Sequence, residues 1–292
     1  MSNKDKVAII IPIHRPDYSY LPNINEICLN TSIDLFVITS EDPADIKSQY
    51  PKIRFLSYSN ITHNQNIVRT NIITQKKIRG VNFLFNNYNY DFIACIDCET
   101  ILETNFNGQV LYDVSKEIYK NKNFYGGNTE IQIFLDINNA CIKLIDSDND
   151  YLKKKCDVYF WFSEIPIYEK TFFKQFYSHY LKIESKLEHE HFDFLLYSYW
   201  LVAYKNFQII NWNTDLNNKK LSLKYSGEMI RSNKFVKYLE RNNIYLHWVS
   251  NVHGSHIKRN YYLFRYHINR KATIKSKITN LIARIIKRYS NS

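Results

Sequence analysis

The sequence predicts an α/β protein built on a mostly parallel central sheet flanked by helices. Two apolar runs near the N-terminus, Lys6 to Pro12 and Ile33 to Thr39, are almost uninterrupted, as strands buried on both faces must be. Segments of helical periodicity alternate with such runs, which is the order of β-α units. A further run, Phe92 to Ile96, ends abruptly in Asp97-Cys98-Glu99. Charge there is tolerable only where the strand leaves the sheet.

The chain has 292 residues, enough for one large domain or two small ones with a sizeable core. Gly and Pro number 6 each, so long flexible linkers are not expected. The five cysteines, Cys28, Cys95, Cys98, Cys141 and Cys156, are odd in number and lack framework spacing, which points to reduced thiols in a cytosolic setting. The N-terminus runs directly into a strand without a signal-peptide apolar region, and no segment approaches the ~20 apolar residues of a membrane span. Of the formal charge of +11, ten basic residues lie between Asn251 and Ser292, a stretch with no acid.

In chain order, the first strand ends in Pro12-Ile13-His14-Arg15-Pro16, a loop whose prolines stop ladder pairing. A short polar helix around Leu21 to Leu29 leads to the second strand, followed by Ser40-Glu41-Asp42-Pro43. A third strand is expected over Ile53 to Tyr58, and a helix over Asn66 to Asn86 with Arg69, Lys76, Lys77 and Arg79 on a solvated basic face. After Asp97 come a helix over Val110 to Lys120 and the pair Gly126-Gly127, read as a turn. The aromatic stretch Asp157 to Pro166 contains Trp161 and Glu164; aromatics there belong to the core or stack on sugar rings. From Leu187 to Leu201 the spacing predicts a helix with Glu190 and Asp193 on one face of its first turn, where acids also complement the helix dipole. A last short strand is expected over Phe207 to Trp212, and His253-Gly254-Ser255-His256-Ile257-Lys258 follows later. Lys271 to Tyr289 places Ile274, Ile278, Leu281, Ile282 and Ile285 on one stripe among basic residues, the pattern of an interfacial helix on anionic lipid. That stripe disfavours nucleic acid as its partner.

The element Asp97-Cys98-Glu99 at the end of a buried strand, after three β-α units, resembles the Asp-x-Asp motif of glycosyltransferases with the GT-A fold. The resemblance spans most of residues 5–260 through short, degenerate motifs. It implies a GT-A-like (Rossmann-like) catalytic domain over 1–260 and a basic amphipathic tail over 261–292. Asp97, Glu99 and His253 would hold Mn²⁺ or Mg²⁺, hard cations suited to oxygen and imidazole ligands. Pro12, His14, Arg15, Arg69, Lys76, Asp97 and Lys258 would meet the nucleotide-sugar donor, and Trp161 and Glu164 the acceptor. Asp193 or Glu190 would be the general base. The implied activity is transfer of a hexosyl or N-acetylhexosaminyl group from a UDP-sugar to a glycan or lipid-linked acceptor, as in lipopolysaccharide or capsule synthesis. The implied location is cytoplasmic, peripheral on the inner membrane face. Two rivals are a nucleotidyltransferase, which would want glycines that Pro12 to Pro16 lacks, and a non-enzymatic membrane- or nucleic-acid-binding protein, which leaves the carboxylate pair unexplained.

Overall fold

The structure, a computed structural model, describes residues 6–13, 18, 20–62, 71–98, 100–102, 107–129, 132–160, 166–211, 214, 248–253 and 260–265; at 100–102, 110, 114, 117, 125, 159, 248–253 and 260–265 it describes the backbone alone. In chain order the first half contains β1 (Val7–Pro12), α1 (Leu21–Thr31), β2 (Asp34–Thr39), α2 (Ala44–Lys47), β3 (Arg54–Ser57), α3 (Tyr58–Ile61), α4 (Ile72–Asn87), β4 (Phe92–Cys95) and β5 (Thr100–Leu102). Then follow α5 (Gly108–Asn121), β6 (Asn123–Asn128), α6 (Gln132–Asp146), α7 (Asp150–Lys154), β7 (Val158–Tyr159), β8 (Ile167–Glu169), α8 (Lys170–Ile183), α9 (Asp193–Lys205), β9 (Gln208–Asn211), β10 (Trp248–His253) and β11 (Asn260–Arg265).

The central sheet has the order β3-β2-β1-β4-β8. Its first four strands are parallel and β8 joins β4 antiparallel, so the fold is α/β with a mostly parallel mixed sheet, compatible with a Rossmann-like arrangement. Side-chain alternation along each strand splits the core in two. Ala8, Ile10, Phe36, Ile38, Ile93, Cys95 and Tyr168 face one way, against α4, α6, α8 and α9. Val7, Ile9, Ile11, Leu35, Val37, Ala94, Ile96 and Ile167 face the other, against α1 and α5. Burial on both faces explains why β1 and β2 carry no polar alternation.

Two three-stranded sheets complete the architecture, β7-β6-β9 and β10-β11-β5. Gly126-Gly127 is therefore not a turn. Both glycines lie within β6, paired to Asn211 of β9 and Tyr159 of β7. The strand expected as the last, β9, is followed by the antiparallel hairpin β10–β11, and β11 pairs in parallel with β5. The boundary expected after residue 260 falls at the first residue of β11. The amphipathic stripe of 271–289 lies outside the described residues. Among the described residues no helix is long and apolar enough to cross a membrane.

Helix α9 is buried at every position from Asp193 to Val202, so it is a central helix, apolar on all sides, rather than an amphipathic surface one. It stops at Asn206, which takes the left-handed conformation (φ 58°) that Asn tolerates as a helix terminator. Helix α4 lies close against the sheet because Gly80 has no side chain there. A Cβ at that position would collide with the Cδ1 atoms of Ile38 and Ile10.

Candidate active site

The strand order reverses direction between β1 and β4. The chain lays β2 and β3 on one side of β1 and then returns to lay β4 on the other. In open α/β sheets the crevice beyond the carboxyl ends of the strands at such a switch point is where ligands bind. Ile13 leaves β1 there, with its N–H donating to the Ile38 carbonyl at 2.9 Å, and Asp97 leaves β4. Asp97 continues the alternation of Ile93 and Cys95, the face covered by α4. The next carbonyl, that of Cys98, accepts from Asn23 Nδ2 of α1 at 3.3 Å, which ties down the turn beyond the carboxylate.

The partner that meets Asp97 is Lys77, two turns into α4. Its Nζ donates to Asp97 Oδ1 at 3.2 Å and stands 3.5 Å from Asp193 Oδ1, at the first residue of α9. The other Asp193 oxygen, Oδ2, accepts from the Tyr168 hydroxyl of β8 at 2.5 Å. Exposure grades along this chain of contacts: the Asp193 side chain is 4% exposed, Lys77 12% and Asp97 43%. Burial by itself would push the Lys77 amine down, but the Asp193 and Asp97 carboxylates outweigh it and hold the amine well above its ordinary value. Burial, then the Asp193 charge, pushes the Tyr168 hydroxyl up in turn. The array reads Tyr168, Asp193, Lys77, Asp97 from interior to crevice.

The basic face expected on α4 is not solvated. Lys76 is fully buried, and its Nζ donates to Ser40 Oγ at 2.7 Å and to the Ile13 carbonyl at 3.4 Å, beside the ends of β1 and β2. Arg79 grips Glu184, just beyond α8, with Nε and Nη2 both at 2.6 Å from its carboxylate oxygens. Successive basic residues on α4 thus reach three different anchors, because the helix is pressed into the molecule. Pro12 ends β1 opposite Ile38 of β2. Asp42 pairs with Lys47 at 2.7 Å on the surface.

Glu190 and Asp193 do not share a helical face. Helix α9 begins at Asp193, and Glu190 lies in the turn before it, with Oε2 3.0 Å from His189 Nδ1. The turn is held from below: Asn71 Nδ2 donates to the carbonyls of Glu188 (2.6 Å) and His191 (2.8 Å), and Thr74 Oγ1 to that of His191 (2.9 Å). The helix start is set by these tethers to α4, not by the apolar spacing that suggested an earlier one.

His14, Arg15, Arg69, Glu99, Trp161, Glu164 and Lys258 lie outside the described residues. The backbone of His253 ends β10, opposite Asn260 of β11. In the same sheet β11 lies between β10 and β5, pairing with β5 from Tyr262 opposite Thr100. Among the described residues no group of three or more His, Cys, Asp or Glu is placed to hold a metal ion. Asp97 has the charge and the access to give one oxygen to a hard cation. Two carboxylates share one ammonium, leaving a net charge of −1, and Asp97 Oδ2 makes no hydrogen bond among the described residues at the more exposed end. Lys77 and Tyr168 had no part in the site expected from sequence. For Lys77 the usable signal was the parity of Asp97 with Ile93 and Cys95, which aims it at the preceding helix; for Tyr168 there was none. Neither a protein-family model nor a curated protein matches this chain.

Proposed function

We propose that the chain is a glycosyltransferase with a GT-A-like fold, taking its sugar from a nucleoside diphosphate donor, a UDP-sugar, and passing it to a glycan or lipid-linked acceptor. The observation that carries this reading is the place of Asp97: it is a half-exposed carboxylate at the carboxyl end of β4, on one lip of the switch-point crevice. Ile13 stands on the other lip, and the buried Lys76 supports it by donating to the Ile13 carbonyl. A nucleotide laid across β1 and β2 would meet that lip first. Asp97, with Glu99 and His253, would hold Mn²⁺ or Mg²⁺, which when bound offsets the charge developing on the departing diphosphate. Lys258 would face the same leaving group.

The acceptor hydroxyl must give up a proton to a nearby carboxylate in an inverting transfer. Asp193 could accept one only by releasing Lys77 or Tyr168, since both its oxygens are engaged. Glu190 is freer, with one oxygen against His189, so the base role passes to Glu190 and Asp193 supports Lys77.

Calorimetry with UDP and Mn²⁺ tests the reading. The wild-type protein should bind UDP when Mn²⁺ is present, and Asp97→Ala should lose that binding. No metal-dependent nucleotide binding by the wild type would sink the proposal.

A further inference from the structure

Asp97 does not face the crevice as a bare carboxylate. Its Oδ1 is matched by the Lys77 ammonium at 3.2 Å, and that ammonium has a second carboxylate behind it. Asp193 Oδ1 stands 3.5 Å away on its inner side, and the Tyr168 hydroxyl fixes the other Asp193 oxygen at 2.5 Å. Asp193 and Tyr168 are buried, and α4 is seated on the sheet at Gly80, one turn beyond Lys77. The anchor is interior and the carboxylate it reaches is at the edge.

We propose that Lys77 is the resident counter-ion of Asp97, a positioning residue that holds this carboxylate toward α4 and excludes a bare divalent cation from the crevice. The proposal rests on the reading of Asp97 as the cation-binding carboxylate. Its physics is short-range repulsion. A divalent ion on Asp97 lies within one carboxylate's width of the ammonium, and like charges so close repel strongly in a partly buried site. The cation therefore enters only by displacing the ammonium from Asp97, and Asp193 remains to receive it. An ordinary structural ion pair has a different signature: its removal changes stability and leaves cation uptake as it was.

The test is Mn²⁺ titration of the full chain, read as loss of the free-ion paramagnetic resonance signal, which needs neither substrate nor turnover. Wild type is compared with Lys77→Met and with Lys77→Met combined with Asp193→Asn. The double variant removes the buried negative charge that the single one leaves unpaired, and its amide oxygen still accepts from Tyr168, so it keeps the test readable if the single variant does not fold. Mn²⁺ should bind at least about tenfold more tightly once the ammonium is gone. Adding Asp97→Ala to the double variant should erase the gain. Equal Mn²⁺ affinity in wild type and variants, uptake by none included, overturns the proposal. The outcome is separable from that of the functional reading. If the variants gain Mn²⁺ affinity and no form binds UDP, the counter-ion role stands and the nucleotide-sugar reading falls. If wild type binds UDP with Mn²⁺ and the variants take up Mn²⁺ no better, the reverse holds.

Discussion

Lys77 joins an acid at the end of a strand to an acid at the start of a helix, and burial sets how much that junction matters. Removing one partner of such a pair strands a charge in the interior, at a typical cost of about 3–5 kcal/mol. The pairing has a defined pH window. Lys77 has its amine raised by its two carboxylates against the opposing effect of burial, while burial raises the Cys141 thiol and the Tyr58 hydroxyl, each to about 12. Each group keeps its proton longer when folded than when unfolded, so each contributes stability that is complete below its unfolded value and is lost as pH rises through the folded one. The earliest loss comes from the buried thiols, Cys141 and Cys95, whose ordinary value is 9.0. Urea unfolding is therefore expected to show a level stability from about pH 7 to about pH 9 and a steady decline above it, which Cys141→Ala makes shallower without moving the onset, since the Cys95 thiol is raised from the same ordinary value. A stability still level at pH 11 would contradict these assignments. None of these shifts follows from residue type: burial raises the Cys141 and Cys95 thiols, and the sequence does not say which of the five cysteines will be buried.

At the scale of elements, α4 does most to build the site. Its N-terminal half delivers Lys76 to the ends of β1 and β2, Lys77 to the end of β4, and Asn71 and Thr74 to the turn that starts α9. Such reach requires close approach to the sheet, and Gly80 provides it. Gly80→Val should push α4 off Ile10 and Ile38 and destabilise the protein by about 1–3 kcal/mol in urea unfolding. A change under about 0.5 kcal/mol would mean that the isoleucine side chains repack freely. The periodicity of α4 was legible over the helix, yet its basic residues read as a solvated face. Charge on a helix says nothing about which acids other elements will bring to it. Helix α9 failed differently. An apolar helix buried on every side has no face to find, so Glu190 and Asp193 were read on one helical face when only Asp193 is helical.

At the scale of the molecule, the two faces of one sheet set the plan, with α1 and α5 on one side and α4, α6, α8 and α9 on the other. The basic excess of the chain is concentrated in residues 251–292, since little net charge remains elsewhere. Deleting residues 271–292 is expected to release the protein from vesicles of phosphatidylglycerol and phosphatidylcholine, as measured by co-sedimentation, while UDP binding persists; undiminished vesicle binding would refute a membrane role for the stripe. The sequence by itself determined the α/β class, the strands β1, β2 and β4, and the position of Asp97 at a strand end. Each of those is a local property, fixed by how many successive residues must avoid water. Only the tertiary structure decided that Gly126 and Gly127 run inside a strand, that β4 lies beside β1 at the point where the strand order reverses, and that Asp97 and Asp193 meet across Lys77. Those facts depend on pairing between segments far apart in the chain. Pairing is chosen by the packing of the whole core, which no single stretch of residues encodes.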